Sequence, residues 1–196
     1  MAFDPQAQLA NVAVVADETA RLTEVFRAWP ESYWQRPTYC PDWRASDAVA
    51  HLATGGDFYA QSVALGREGD PKLPWGVSDL AGFMGARLAA VNKLLEGGPA
   101  ELIAGFGAGS AQFQEILESL RGADLAKPAR HPRGLMPIGC WIGMRLNELV
   151  IHDWDIRQPH EAKASLSPKA LPAMLTMGRA DDEAKRQSGA LTITGD

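Results

Sequence analysis

A chain of 196 residues has the length of one ordinary domain, and its 46% hydrophobic and 22% charged content excludes wholesale disorder. A net charge of −5 lacks the basic face that nucleic-acid phosphates or anionic lipid headgroups demand. There is no run of about 18 apolar residues to cross a membrane, the start Met1-Ala2-Phe3-Asp4-Pro5 has no signal-peptide pattern, and two cysteines make no disulfide framework. These features predict a cytoplasmic protein with reduced thiols and no nucleic-acid or membrane partner.

In chain order, Asp4 and Pro5 open a first helix that Pro30 stops, with Leu9, Val12, Ala16, Thr19, Leu22, Phe26 and Trp29 on one apolar stripe. Prolines 30, 37 and 41 among aromatics make residues 30–45 an ordered connection. Ser46 is the expected cap of a second helix to about Leu65, with Asp47 in its first turn. After a loop from Gly66 to Gly76, Ser78 is expected to cap a third helix. Its predicted inward stripe is Leu80, Phe83, Met84, Leu88, Val91 and Leu95, ended by Gly97-Gly98. A further helix runs from Ala100 to Leu120, weakened by Gly105, Gly107 and Gly109, and residues 122–134 read as a loop. Pro137 starts a strong helix to Arg157, and Ser167-Pro168 opens a last one to Gln187. The alternation from Gly189 to Asp196 predicts a lone strand. The predicted architecture is all-α: a four-helix bundle over residues 1–187 with extra short helices, and a tail at 188–196.

The chemistry-bearing residues are few. Glu148 and His152 stand four apart on the helix ending at Arg157, so their side chains share one face, which Trp141, Arg145 and Asp155 extend. His51 lies one turn inside the second helix, among apolar neighbours. Taken singly, the Glu–His pair reads as a solvated helix face and His51 as a satisfied core histidine. Taken together, two imidazoles and a carboxylate from facing helices form a three-ligand site with a coordination position left open. Zinc and ferrous iron both suit such a set. Asp155 is placed to hydrogen-bond a ligand imidazole, and Arg145 and Arg157 are candidate carboxylate partners. For Arg157 the stronger reading is a cation in a last helical turn. Cys40 and Cys140 read as core packing, and His131 as exposed in its loop. There is no phosphate loop and no GxSxG elbow.

Two segments carry a resemblance. Cys40-Pro41-Asp42-Trp43 followed by Asp47-Ala48-Val49-Ala50-His51-Leu52 is similar to the CPGW…D-hydrophobic-hydrophobic-AHL signature of the mycothiol-dependent maleylpyruvate isomerase family. Glu148 to Arg157 resembles that family's E-x-x-x-H-x-x-D-L-R helix, and the overlap runs from about residue 8 to 187. The resemblance implies a DinB-like bundle with a divalent metal, commonly zinc, on His51, Glu148 and His152, with Asp155 behind them. It also implies mycothiol as co-substrate. Thiolate addition to an activated double bond such as that of maleylpyruvate, rotation, and loss of the thiol would give the trans isomer, and addition alone an S-transfer. Family isomerases add a smaller α/β domain after the bundle, whereas this sequence stops at Asp196. That departure leaves an absent domain or a bundle working as monomer or homodimer. Two other readings stay open: a hydrolase using metal-bound water, and a metal-binding or ligand-sensing bundle without turnover.

Overall fold

The computed structural model describes residues 8–174. The architecture is four main helices, α1 (Val12–Ala28), α2 (Ala45–Arg67), α3 (Leu80–Ser119) and α4 (Ile138–Arg157), with a small hairpin of β1 (Pro128–His131) and β2 (Gly134–Pro137). Short 3-10 turns lie at Glu31–Gln35 and Gly122–Asp124. The all-α expectation holds, with the hairpin as an addition.

Helix α2 is the axis of the bundle, buried on nearly every side because its sequence alternates Val49, Leu52, Phe58 and Val63 with alanine and glycine. The small residues let backbones touch. A Cβ on Gly56 would lie 2.8 Å from the Gly109 carbonyl carbon, and one on Gly109 would lie 2.8 Å from the Ala53 carbonyl oxygen. Gly109, which lowers helix propensity, is therefore where α3 crosses α2 at backbone contact. Phe26 of α1 meets Phe106 of α3 edge-on at 5.2 Å, and Trp34 packs beside them.

Several boundaries differ from expectation, each for a local reason. Helix α1 becomes regular only at Val12, after a turn at Ala10 and Asn11. The cap of α2 is Arg44, whose backbone N–H donates to Asp47 Oδ2 at 2.8 Å, while Ser46 is buried within the helix. Asp79, not Ser78, caps α3 by accepting from Gly82 N at 2.7 Å. The two helices expected on either side of Gly97-Gly98 are present and meet end to end at a kink, so that α3 is two helical segments in line. Gly98 takes φ 72°, a value that glycine adopts freely, just before Pro99.

The stripe of α3 is also rotated from its prediction. Phe83, Val91 and Leu95 face the core as expected, whereas Leu80, Met84 and Leu88 are exposed and Leu94 packs inward, which turns Arg87 toward α2. The loop expected at 122–134 contains the start of the hairpin, with Pro128 paired to Pro137 at its open end. Proline is tolerated at a strand end because no ladder donor is needed there. After α4, residues 168–170 form a turn and 171–174 are helical. The Asp4 cap, the remainder of the helix to Gln187 and the strand at 189–196 lie outside the described residues. No described helix is long and apolar enough to cross a membrane.

Candidate metal centre

The loop before α2 folds back on itself, with Thr38 N donating to Trp43 O at 2.9 Å and Ala45 N to Arg36 O at 2.9 Å. Asp42 at its tip has φ 65°, a left-handed conformation that aspartate holds more easily than most non-glycine residues. The third position of this tetrapeptide thus keeps a glycine-like backbone without glycine. The fold-back sets Trp43 against both histidines, 5.1 Å from the His51 ring and 5.8 Å from the His152 ring between centroids.

His51 of α2 and His152 of α4 face each other edge-on with ring centroids 4.9 Å apart. His51 Nε2 is 3.9 Å from Glu148 Oε1. Ligands of one tetrahedral zinc stand about 3.3 Å apart, given bonds near 2.0–2.1 Å, so this pair is open by a few tenths of an ångström. The side chains of His51, Glu148 and His152 keep 24%, 26% and 17% of their surface, which makes them the floor of an opening rather than a sealed core. Glu148 is nevertheless tightly gripped. Tyr59 donates its hydroxyl to Oε1 at 3.1 Å, and Arg145 Nη1 lies 4.0 Å from Oε2. Oε2 itself is buried without a hydrogen-bond partner. Burial alone would raise the Glu148 carboxyl, but the neighbouring His51, then Arg145 and Arg87, hold it down at about 2. It is a carboxylate at every physiological pH, with one oxygen that faces the Arg145 charge but takes no hydrogen bond.

His152 is held from behind. Its Nδ1 donates to Asp155 Oδ2 at 3.0 Å, so Nε2 is the nitrogen with a free lone pair. Burial, then the neighbouring His51, lowers its pKa and keeps the ring neutral. Cys40 Sγ donates to the same Asp155 oxygen at 3.3 Å. The sequence contains no signal for this contact across 115 positions.

Cys40, His152 and Asp155, rather than the expected trio, are the described residues whose ligand atoms all fall within 4.8 Å of one another. Two donor sets therefore share His152. Their chemistry differs. Burial and then the Asp155 hydrogen bond push the Cys40 thiol up to about 11, so it carries its proton and spends it on Asp155. That carboxylate oxygen already answers two donors. The unsatisfied acceptor is on the other side, at Glu148, where a cation would satisfy it.

The remaining candidates sort by burial. Arg145 is 1% exposed and commits Nη1 to Leu52 O at 2.9 Å and Nη2 to Ser110 Oγ at 3.0 Å, so it ties α4 to α2 and α3. Arg157 binds Asp153 and Glu161, as a last-turn cation does. His131, expected to be exposed, is half-buried 5.6 Å from both Phe58 and Trp141. Cys40 and Cys140 form no disulfide. Arg87 was not expected at the site, although its helical step of four from inward-facing Phe83 is the signal that places it there.

The family profile described as "Mycothiol maleylpyruvate isomerase N-terminal domain" matches residues 15–157. A crystal structure of the mycothiol-dependent maleylpyruvate isomerase superposes with TM-score 0.65 at 15% identity, over 79% of this chain and 61% of that one. A histidine-to-alanine mutant of a mycothiol-dependent maleylpyruvate isomerase gives TM-score 0.69 at 12% identity, over 91% and 69%. The chain thus spans 61% of the length of the first structure, and at such identities the likeness establishes the fold. No curated protein matches the chain significantly. The profile covers most of the chain, including the His51 segment and the Glu148–Arg157 helix, and on that ground the chain belongs to the mycothiol maleylpyruvate isomerase N-terminal domain family.

Proposed function

We propose that this protein is a metal-dependent enzyme using a low-molecular-weight thiol, mycothiol, for isomerisation or S-transfer on a small electrophile such as maleylpyruvate. The observation that carries the reading is Glu148: an ionised carboxylate with a buried, unpartnered oxygen, beside one imidazole and one turn from another. His51, Glu148 and His152 would hold a divalent cation, zinc in the first instance. Such an ion, when bound, lowers a thiol's pKa from its usual value of about 8.5 and so supplies thiolate at neutral pH.

The protein's own groups prepare for that task. Asp155 fixes the tautomer of His152 and aims Nε2 away from itself, with the Cys40 proton fixing Asp155 in turn. Tyr59 and Arg145 hold the Glu148 carboxylate in one orientation, so it does not have to reorganise. Trp43 walls both imidazoles with an apolar plane and restricts water at that side. Family membership supports the thiol.

The test is turnover of maleylpyruvate to its trans isomer by purified protein, with mycothiol present and after exhaustive thiol removal. The reading predicts activity only with the thiol, lost in His51→Ala and Glu148→Gln. Turnover that persists without thiol contradicts it and favours metal-bound water as nucleophile. A protein inert with mycothiol across several electrophiles contradicts catalysis itself.

A further inference from the structure

Arg87 is the one guanidinium at this site without a fixed assignment. Among the described residues it makes no ion pair, and a single nitrogen, Nη2, accounts for its hydrogen-bond contacts. That nitrogen lies 3.3 Å from His51 Nδ1 and 3.5 Å from His51 Nε2. One donor cannot align with both ring nitrogens, which point apart and of which only one is an acceptor in the neutral ring, so this is loose packing against the imidazole. The third contact, to His51 O, is at the 3.5 Å limit. The guanidinium carbon sits 5.8 Å from the Phe58 ring centroid, which supports its plane and leaves the rest of the fork uncommitted.

Its position is inside the site, not beside it. A Cβ on Gly55, one turn along α2 from His51, would lie 3.1 Å from Glu148 Oε2, 3.3 Å from Arg145 Nη1 and 3.7 Å from Arg87 Nη2. Glu148 and Arg145 therefore close in on the bare α2 backbone at Gly55, where any side chain would crowd them, and Arg87 borders the same point. Arg145 is sealed from solvent, whereas Arg87 is half-exposed and reached from outside.

The charges then define the ligand. Glu148 and Asp155 balance Arg145 and Arg87. A divalent cation leaves the cluster doubly positive, and a thiolate neutralises half of that excess. A second anionic group on the electrophile would neutralise the remainder, and a planar two-donor fork suits a carboxylate. Resting on the function proposed above, we infer that Arg87 is the residue that receives a carboxylate of the electrophile and sets the preference for anionic substrates.

The experiment is calorimetric titration of maleate, in the absence of thiol, into full-length wild type, Arg87→Gln, Arg87→Lys and Arg27→Gln. Arg27 lies on the exposed surface of α1 and removes the same charge at a distance. Each protein is titrated zinc-loaded and after chelation, with zinc content and Tm measured alongside. Arg87→Gln is expected to weaken maleate binding at least tenfold in both states, Arg87→Lys to recover part of it, and Arg27→Gln to match wild type, all with unchanged zinc content. Binding by Arg87→Gln within twofold of wild type overturns the assignment, as does wild type that takes no maleate. A loss of zinc in Arg87→Gln that parallels the loss of maleate also overturns it, because Arg87 would then act through the cation. If wild type holds no zinc, the metal reading fails by itself, and Arg87 is still judged on the chelated protein.

Discussion

Helix α4 presents two polar faces that obey opposite rules. Toward α1 and the chain beyond α4, the buried carboxylates are paired: Asp153 accepts from Arg21 Nη2 at 3.0 Å and from Arg157 Nη2 at 2.9 Å, while buried Glu18 takes Arg21 Nε at 2.9 Å and the Ser167 hydroxyl. Toward α2 and α3, among the described residues, Glu148 has a buried oxygen without a hydrogen bond, His152 donates from Nδ1 and leaves Nε2 unbonded, and Arg87 has no carboxylate partner. The same residue types therefore close a seam on one face and make few hydrogen bonds on the other. A buried polar group left unsatisfied costs stability, and Glu148 Oε2 is the charged one among the buried polar atoms without a hydrogen bond in the described residues. On the function proposed above, this second face is the one that would hold a cation and substrate.

This contrast predicts that the two faces respond to mutation in different quantities. The largest stability effect belongs to the closed seam. Asp153→Ala leaves two arginines facing a buried gap and is expected to cost about 3 kcal/mol, the low end for a broken buried pair because Arg21 is partly exposed. Urea denaturation reads the loss, and the folded protein should keep its metal content. A loss of metal with little change in stability would merge the two faces into one network.

Next in size is Gly56→Ala, where a new Cβ meets the α3 backbone at 2.8 Å. Overpacking of this kind costs about 1–3 kcal/mol. If thermal unfolding shows no change, the α2–α3 crossing is not at backbone contact.

The third prediction concerns acid. Burial, then Arg133, depresses the His131 pKa from 6.5 to about 4. The folded protein thus prefers the neutral ring. Its contribution is complete above pH 6.5 and declines as pH falls from there toward 4, because the unfolded chain takes up the proton first. His131→Phe, which suits the surrounding Phe58 and Trp141, should lose less Tm between neutral pH and pH about 4.5 than wild type does. An identical acid slope in both proteins would show that His131 is not the group responsible. The smallest effect is at Asp42, whose φ of 65° disfavours a plain side chain. Asp42→Ala should cost about 1 kcal/mol and Asp42→Gly about nothing, a difference that denaturant midpoints resolve.

What could be read from the chain and what could not divides along the same line. Helix α4 was legible because Glu148, His152 and Asp155 are local, and i, i+4 spacing fixes which residues share a face. His51 was legible because it is a polar residue inside an apolar helical run. Cys40 meeting Asp155 was not, since the contact depends on how the 36–45 fold-back docks, which no periodicity encodes. Arg87 is not legible from the apolar spacing, because the apparent apolar stripe of α3 is only partly the buried face. Leu80, Met84 and Leu88 have the right spacing for a core face but lie in solvent, and the true face runs through Phe83 and Arg87. The hairpin was missed because strands of four residues bounded by proline have the composition of a loop.

The central claim is that a cation belongs on the Glu148 side of His152 and not on the Cys40 side. Zinc content per chain, measured by mass spectrometry on wild type, Glu148→Gln and Cys40→Ser purified without chelators, tests it directly. The account predicts close to one zinc in wild type and in Cys40→Ser, and almost none in Glu148→Gln. Full zinc in Glu148→Gln together with loss in Cys40→Ser would contradict it and move the centre to Cys40, His152 and Asp155.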